Sequence, residues 1–258
     1  MKQLLSKKNT LVTGATRHKG IGAQIAREMA NAGANVAISY FPPYDQDTPW
    51  GMDENEHLSV LESIRQYNPT AVGFEANLSN PNETADLFHK AREALGHIDI
   101  LVNNAAYSTM TEIETITAAE FDQHYKVNVQ ANMLLTQLFV QQIKKDGTQN
   151  GRIINFTSGQ GLHPMPDELA YATTKAAVES ITKNIAPQIA RYGITVNAID
   201  PGATDTGWMT DDMKADLQQQ TPMGRLGVPQ DAARLALFLA SDEAQWITGQ
   251  IIRSRGGL

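Results

Sequence analysis

Thr10-Leu11-Val12-Thr13-Gly14-Ala15-Thr16-Arg17-His18-Lys19-Gly20-Ile21-Gly22 runs from a short apolar strand pattern, through a loop with three glycines, into the start of an amphipathic helix. Glycine lets a backbone turn sharply and come close to a pyrophosphate, which amide N–H groups and the positive end of the helix then hold. Three glycines alone prove little, because glycines also end strands. Their position between a strand and a helix makes this a nucleotide-binding loop.

The same alternation continues outward from the loop. Strand patterns at 10–14, 35–40, 70–76, 98–104, 151–158, 194–200 and 249–254 alternate with helical patterns at 21–33, 55–67, 82–95, 118–145, around Tyr171 and at 230–239. Strands apolar on both faces and joined by helical crossovers build a parallel sheet covered on both sides. The expected fold is α/β: a doubly wound, seven-stranded parallel sheet of the Rossmann type, in one domain spanning 1–258. Its ligand crevice should lie beyond the carboxyl ends of the strands. Two connections are longer than such units need. One, at 41–53, reads as an inserted loop, and the other, at 203–228, carries Trp208, Met209 and a short helix and reads as a lid.

Bulk composition narrows the function. A net charge of −7 with no long basic cluster argues against nucleic acid or an anionic membrane as partner. The chain has no cysteine, so disulfides, thiolate nucleophiles and thiolate metal sites are excluded. No H-E-x-x-H occurs and the six histidines are scattered, so no metal is expected. No apolar run approaches the length of about 18 residues needed for a spanning helix. The first residues do not read as a signal peptide, and the default location is the cytoplasm.

Tyr171 and Lys175 stand at i, i+4 on one helix, so both project from one face. Ser158 lies thirteen residues before Tyr171 at the end of an apolar strand, and Asn128 lies in the preceding long helix. A free tyrosine, with a pKa of about 10, is a poor base at neutral pH; a nearby ammonium stabilises its phenolate.

These segments together resemble the short-chain dehydrogenase/reductase family over nearly the whole chain, and most closely its bacterial 3-oxoacyl-(acyl-carrier-protein) reductase branch. The family fingerprint is T-G, three residues, then G-x-G; this loop has two residues more. The resemblance implies that Tyr171 is general acid in carbonyl reduction and general base in alcohol oxidation. It implies that Lys175 lowers the pKa of Tyr171 and bonds the nicotinamide ribose, that Ser158 holds the substrate oxygen, and that Asn128 anchors a water linked to Lys175. Cofactor contacts implied in the same way are Gly14, Thr16, Lys19, Gly20, Ile21, Gly22, Tyr40, Asn77, Leu78, Asn104, Ala105, Tyr171, Lys175, Pro201, Gly202, Thr204 and Thr206. Asn77 replaces the usual aspartate at the adenine, and Arg255 stands where the family often has an acid.

The second strand ends in Ser39-Tyr40-Phe41 with no carboxylate to repel a 2′-phosphate, and Lys19, Arg17 and His18 add donors; NADP(H) is therefore favoured over NAD(H), with Asp45 and Asp47 as opposing charges. The expected substrate is a small carbonyl compound or an acyl thioester. Tyr107, His163, Met165, Trp208 and Met209 are candidate pocket residues, and Lys144, Lys145 and Arg191 a candidate dock for an acidic carrier. A homotetramer is implied by resemblance only. The competing readings are an NAD-dependent alcohol, polyol or hydroxysteroid dehydrogenase and a nucleotide-sensing protein without turnover. A serine hydrolase would want G-x-S-x-G, which Phe156-Thr157-Ser158-Gly159 lacks, and an enoyl reductase would want a longer spacing than that from Tyr171 to Lys175, with Val178 seven residues on.

Overall fold

A computed structural model describes residues 3–258. Seven strands form one sheet: β1 (Asn9–Val12), β2 (Asn35–Tyr40), β3 (Val72–Glu75), β4 (Ile100–Asn103), β5 (Arg152–Phe156), β6 (Thr195–Asp200) and β7 (Ile251–Arg253). Their order is β3-β2-β1-β4-β5-β6-β7 and every pair is parallel. The expected doubly wound fold is therefore present, with all seven strands.

Alternation within the strands divides the core between two faces. Val12, Val102 and Ile154 face one layer, where they meet Ile25 and Met29 of α1 (Ile21–Asn31), Val60 and Ile64 of α3 (Glu56–Arg65), and Ala236 and Leu239 of α9 (Pro229–Ala240). Their neighbours Leu11, Leu101 and Ile153 face the other layer. There they meet Leu87 and Phe88 of α4 (Pro81–Leu95), Leu135, Phe139 and Ile143 of α6 (Ala131–Asp146), and Ile189 of α7 (Leu169–Ile189). The chain order reverses between β1 and β4, so the crevice opens there, at the carboxyl ends of the strands.

Two elements differ from expectation. The connection 41–53 is not all loop: Pro42 and Pro43 occupy the first turn of a short helix, α2 (Pro42–Gln46), where proline's missing N–H costs no helical hydrogen bond. The pattern 118–145 is not one α-helix either. It divides into α5 (Ala118–Tyr125), a π-turn at Lys126–Gln130, and α6. The connection 203–228 carries α8 (Asp211–Gln220), capped by Thr210, whose hydroxyl accepts from Met213 N–H. Among the described residues no helix is long and apolar enough to cross a membrane, and no group of acidic residues and histidines could hold a metal ion.

Candidate active site

β5 ends at Phe156, and Ser158 opens the turn that follows it. On the adjacent helix α7, Tyr171 and Lys175 face this strand end. Ser158 stands beside the Tyr171 hydroxyl, near enough to favour its ionised form. The Lys175 Nζ lies 5.4 Å from the centre of the Tyr171 ring and donates to the Phe156 carbonyl at 2.9 Å. Burial pushes the Lys175 ammonium down to about 8. Burial pushes the Tyr171 hydroxyl up, Glu168 adds to the rise, and Ser158 pulls the other way. In the protein alone burial therefore dominates, opposite to the expected lowering. Positive charge brought by a ligand is what would reverse it.

Asn128 sits in the π-turn and is buried. Its Nδ2 donates to the Tyr107 carbonyl and to Thr174 Oγ1, each at 2.9 Å, and its Oδ1 accepts from Tyr107 N–H at 2.8 Å. It thus fastens the segment after β4 to α7, and makes no direct bond to Lys175. Asn128, Lys175, Thr13, Ala105 and Leu78 line a cavity of about 10 Å³, close to the space one water needs.

Across the crevice, the loop fits a dinucleotide backbone by what it leaves out. A Cβ on Gly14, whose φ is +72°, would stand 2.7 Å from Ala105 Cα, and one on Gly22 would stand 2.4 Å from the Gly14 carbonyl oxygen. Asn104 stitches these turns together, its Nδ2 donating to the Thr13 and Gly14 carbonyls at 2.9 and 3.0 Å. Gly20 caps α1 without any side-chain hydrogen bond, which leaves the first-turn N–H groups, beginning at Ile21, open to an anion. These residues fit a pyrophosphate-bearing cofactor. Pro201 and Gly202 follow β6 at the same end of the sheet.

Several expected donors are otherwise engaged. Arg17 does not face open crevice: its Nε bonds Asp45 of α2 at 2.9 Å and its Nη1 donates to the Thr206 carbonyl at 3.1 Å, beneath the Trp50 ring at 5.7 Å. Burial pushes the Asp45 carboxyl up further than Arg17 and Thr16 pull it down. His18 is turned to α3, with Nε2 2.7 Å from Ser59 Oγ. Lys19 alone of the three makes no ion pair or side-chain hydrogen bond among the described residues; its stem lies beside Gly207. Thr16 accepts from Phe41 N–H, and Tyr40 packs on His57 at 4.5 Å. The Asn77 oxygen already accepts from Ser79 N–H and Oγ–H, at 3.0 and 2.8 Å. Thr204 turns its hydroxyl to the Pro201 and Gly202 carbonyls.

Of the pocket candidates, Tyr107 and Met165 are half-buried, His163 and Trp208 are exposed, and Met209 is buried. Lys144 and Arg191 are brought together over the Tyr192 ring, at 5.5 and 5.0 Å. Lys144 lies in the last turn of α6 and Arg191 just after α7, beside the starts of β5 and β6, at the opposite end of the sheet from Ser158. Reading along the chain missed three groups at the crevice. Tyr44 reaches Ser108 from α2, Glu168 stands one turn before Tyr171, and the third is the pairing of Arg255, noted in the sequence only as a departure from the family's acid, with Asp200 at 3.1 Å, where it packs on Gly159 and Gly202.

A family model described as enoyl-(acyl carrier protein) reductase matches residues 14–258. The chain is 42% identical over 250 residues to the uncharacterized oxidoreductase YjdA of Bacillus subtilis (strain 168), covering 97% of this chain and 96% of that one. It is 34% identical over 254 residues to the 3-oxoacyl-[acyl-carrier-protein] reductase FabG of Staphylococcus epidermidis, covering 97% and 98%. Among solved structures, a short chain dehydrogenase from Burkholderia cenocepacia J2315 in complex with NADP superposes with a TM-score of 0.87 at 30% identity, covering 98% of each chain. A short-chain type dehydrogenase/reductase from Mycobacterium marinum gives 0.85 at 28% identity, covering 98% and 96%. With this fold, these relatives and this pairing of helix and strand end, the chain belongs to the short-chain dehydrogenase/reductase family and is an oxidoreductase.

Proposed function

We propose that this oxidoreductase reduces a ketone to a secondary alcohol with NADP(H), and that Tyr171 delivers the proton. The observation that carries the reading is the Lys175 ammonium behind the Tyr171 ring, with Ser158 beside the Tyr171 hydroxyl. Ser158 donates to the substrate carbonyl oxygen and orients it toward Tyr171. The Tyr171 O–H bond breaks as the carbonyl oxygen takes the proton. Lys175, charged at neutral pH with its pKa lowered only to about 8, stabilises the phenolate left behind. Asn128 holds the floor of the small cavity it shares with Lys175, where one water would link them. A bound nicotinamide supplies the hydride.

The finer parts of the reading have separate supports. Preference for the 2′-phosphate is supported by Lys19, by the absence of a carboxylate at the end of β2, and by NADP in the Burkholderia structure. A 3-oxoacyl thioester substrate is supported by the FabG relative. Assembly as a homotetramer is supported by exposed apolar side chains, Phe121 and Met133 on α5 and α6 and Phe238 and Trp246 near the carboxyl end. The test is oxidation of NADPH and NADH in parallel, against acetoacetyl thioester and a panel of simple ketones. Faster NADPH use on the thioester supports the full reading. Turnover of other ketones only would move the substrate, and silence with both cofactors would favour a nucleotide-binding protein without turnover.

A further inference from the structure

Glu168 caps the start of α7, three residues before Tyr171, and its carbonyl accepts from Ala172 N–H at 2.8 Å. It therefore shares a turn with Tyr171 and lies on the same side of the helix. Its carboxylate accepts one hydrogen bond, from Ser108 Oγ at 3.3 Å, and among the described residues it has no ion pair. Other carboxylates of this chain are treated differently: Asp45, Asp200 and Asp231 are each held by an arginine.

Nor is Glu168 a loose surface side chain. It is half-buried, and its backbone is bridged to Thr111. Ser108, its one partner, is gripped by Tyr44 of α2, whose hydroxyl lies 3.2 Å from both the Ser108 carbonyl and its N–H. A carboxylate fixed in partial burial with one long hydrogen bond is under-satisfied, and a donor arriving with a ligand would complete it.

We propose that Glu168 is the specificity-determining residue of the substrate site. It selects ketones that carry a hydrogen-bond donor, a protonated amine or a hydroxyl, two or three bonds from the carbonyl carbon, and it rejects ketones that carry a carboxylate there. The spacing follows from the shared turn, on which residues three apart stand about 5–6 Å from each other: with the carbonyl oxygen at Ser158 and Tyr171, a donor on the next carbon falls within reach of Glu168. Glu168 touches none of the reacting atoms, and its contribution is to substrate binding. The proposal rests on the ketone-reductase reading and narrows it.

The experiment uses four ketones of similar size with saturating NADPH: aminoacetone, hydroxyacetone, butanone and acetoacetate. The wild-type protein should show kcat/KM for aminoacetone and hydroxyacetone roughly 10- to 100-fold above butanone, the range expected of one charge-assisted hydrogen bond, with acetoacetate lowest. In Glu168→Gln the advantage of aminoacetone over butanone should collapse, mainly through KM, and acetoacetate should improve relative to butanone. Glu168→Asp, which keeps the charge, should retain part of the preference and guards against a folding defect in the first variant. A flat profile in the wild-type protein, or an unchanged preference in Glu168→Gln, would overturn the proposal while butanone turnover left the ketone-reductase reading standing. No turnover of any ketone would overturn both.

Discussion

On the α7 side of the crevice, Tyr171 and Lys175 come from one helix and Ser158 from the strand end beside it, so two regular elements set their positions. On the other side, Arg17 comes from a loop and Asp45 from a five-residue helix 28 positions later, and they meet only because both connections are longer than the fold requires. The first side leaves an ammonium behind the ring of a phenol, with one backbone hydrogen bond and, among the described residues, no carboxylate paired to it. The second cancels its own charge: Arg17 is neutralised by Asp45 and tied by a further bond to Thr206. Groups kept unsatisfied are available for chemistry, and groups that satisfy one another hold a shape. In this molecule the catalytic side is the under-satisfied one.

The largest effect that could break this comparison is Tyr171→Phe. Removing the proton donor beside Ser158 should lower kcat by about 10³-fold, with cofactor affinity measured by fluorescence titration nearly unchanged; substantial residual turnover would move the proton to another group.

Lys175 gives a second test, on stability. Its folded pKa is lowered, from about 10.5 to about 8, so between those values the unfolded chain holds a proton that the folded chain has lost. Stability must then rise as pH climbs through this window, and the cost of the buried charge is present in full below pH 8. Lys175→Met removes that cost, so its stabilising effect in urea titrations should be greater at pH 7 than at pH 10.5 by about 3 kcal/mol. An equal effect at both pH values would mean that Lys175 is solvated.

Asp45→Asn sharpens the other side. It leaves Arg17 charged and mostly buried without a counter-ion, and should cost about 3 kcal/mol of stability. Arg17→Met combined with Asp45→Asn should recover part of the loss, as expected for two groups whose main partner is each other. Additive losses would assign the stability of α2 to Tyr44 and Trp50 instead. The smallest effect is expected at the far end of the sheet. Lys144→Ala and Arg191→Ala should each change stability by less than about 0.5 kcal/mol and leave kcat/KM on a free thioester unchanged. A loss seen only with a carrier-borne substrate would restore this face as a dock.

The two sides also differ in how far the chain could be read without coordinates. The seven strands were legible because each is a short β-branched run between helical patterns, and Tyr171 and Lys175 because a helix places i and i+4 together whatever surrounds it. The prolines at 42 and 43 were legible as a break but are a helix start, which the acidic loop around them disguised. The pairing of Arg17 with Asp45 left no local trace, because it depends on where two insertions cross in space. Read as phosphate donors, Arg17 and His18 are already held by Asp45 and Ser59. Glu168 was visible as a helix-start residue, where an acidic side chain is ordinary; only its lack of a cation and its bond to Ser108 set it apart.

The π-turn at Lys126–Gln130 also acts as a phase shifter. An α-helix advances about 100° per residue, so the one extra residue in that turn rotates everything after it by about that angle relative to α5. Leu135, Phe139 and Ile143 reach the sheet only with this offset included. Closing the turn to regular α geometry without removing a residue would rotate the apolar stripe of α6 away from the core, whereas deleting one residue between 126 and 130 can be absorbed as continuous α-helix, at the cost of the widened turn that carries Asn128. The extra residue thus serves the site more than the core: it widens the helix at the one turn from which Asn128 reaches both Tyr107 and Thr174.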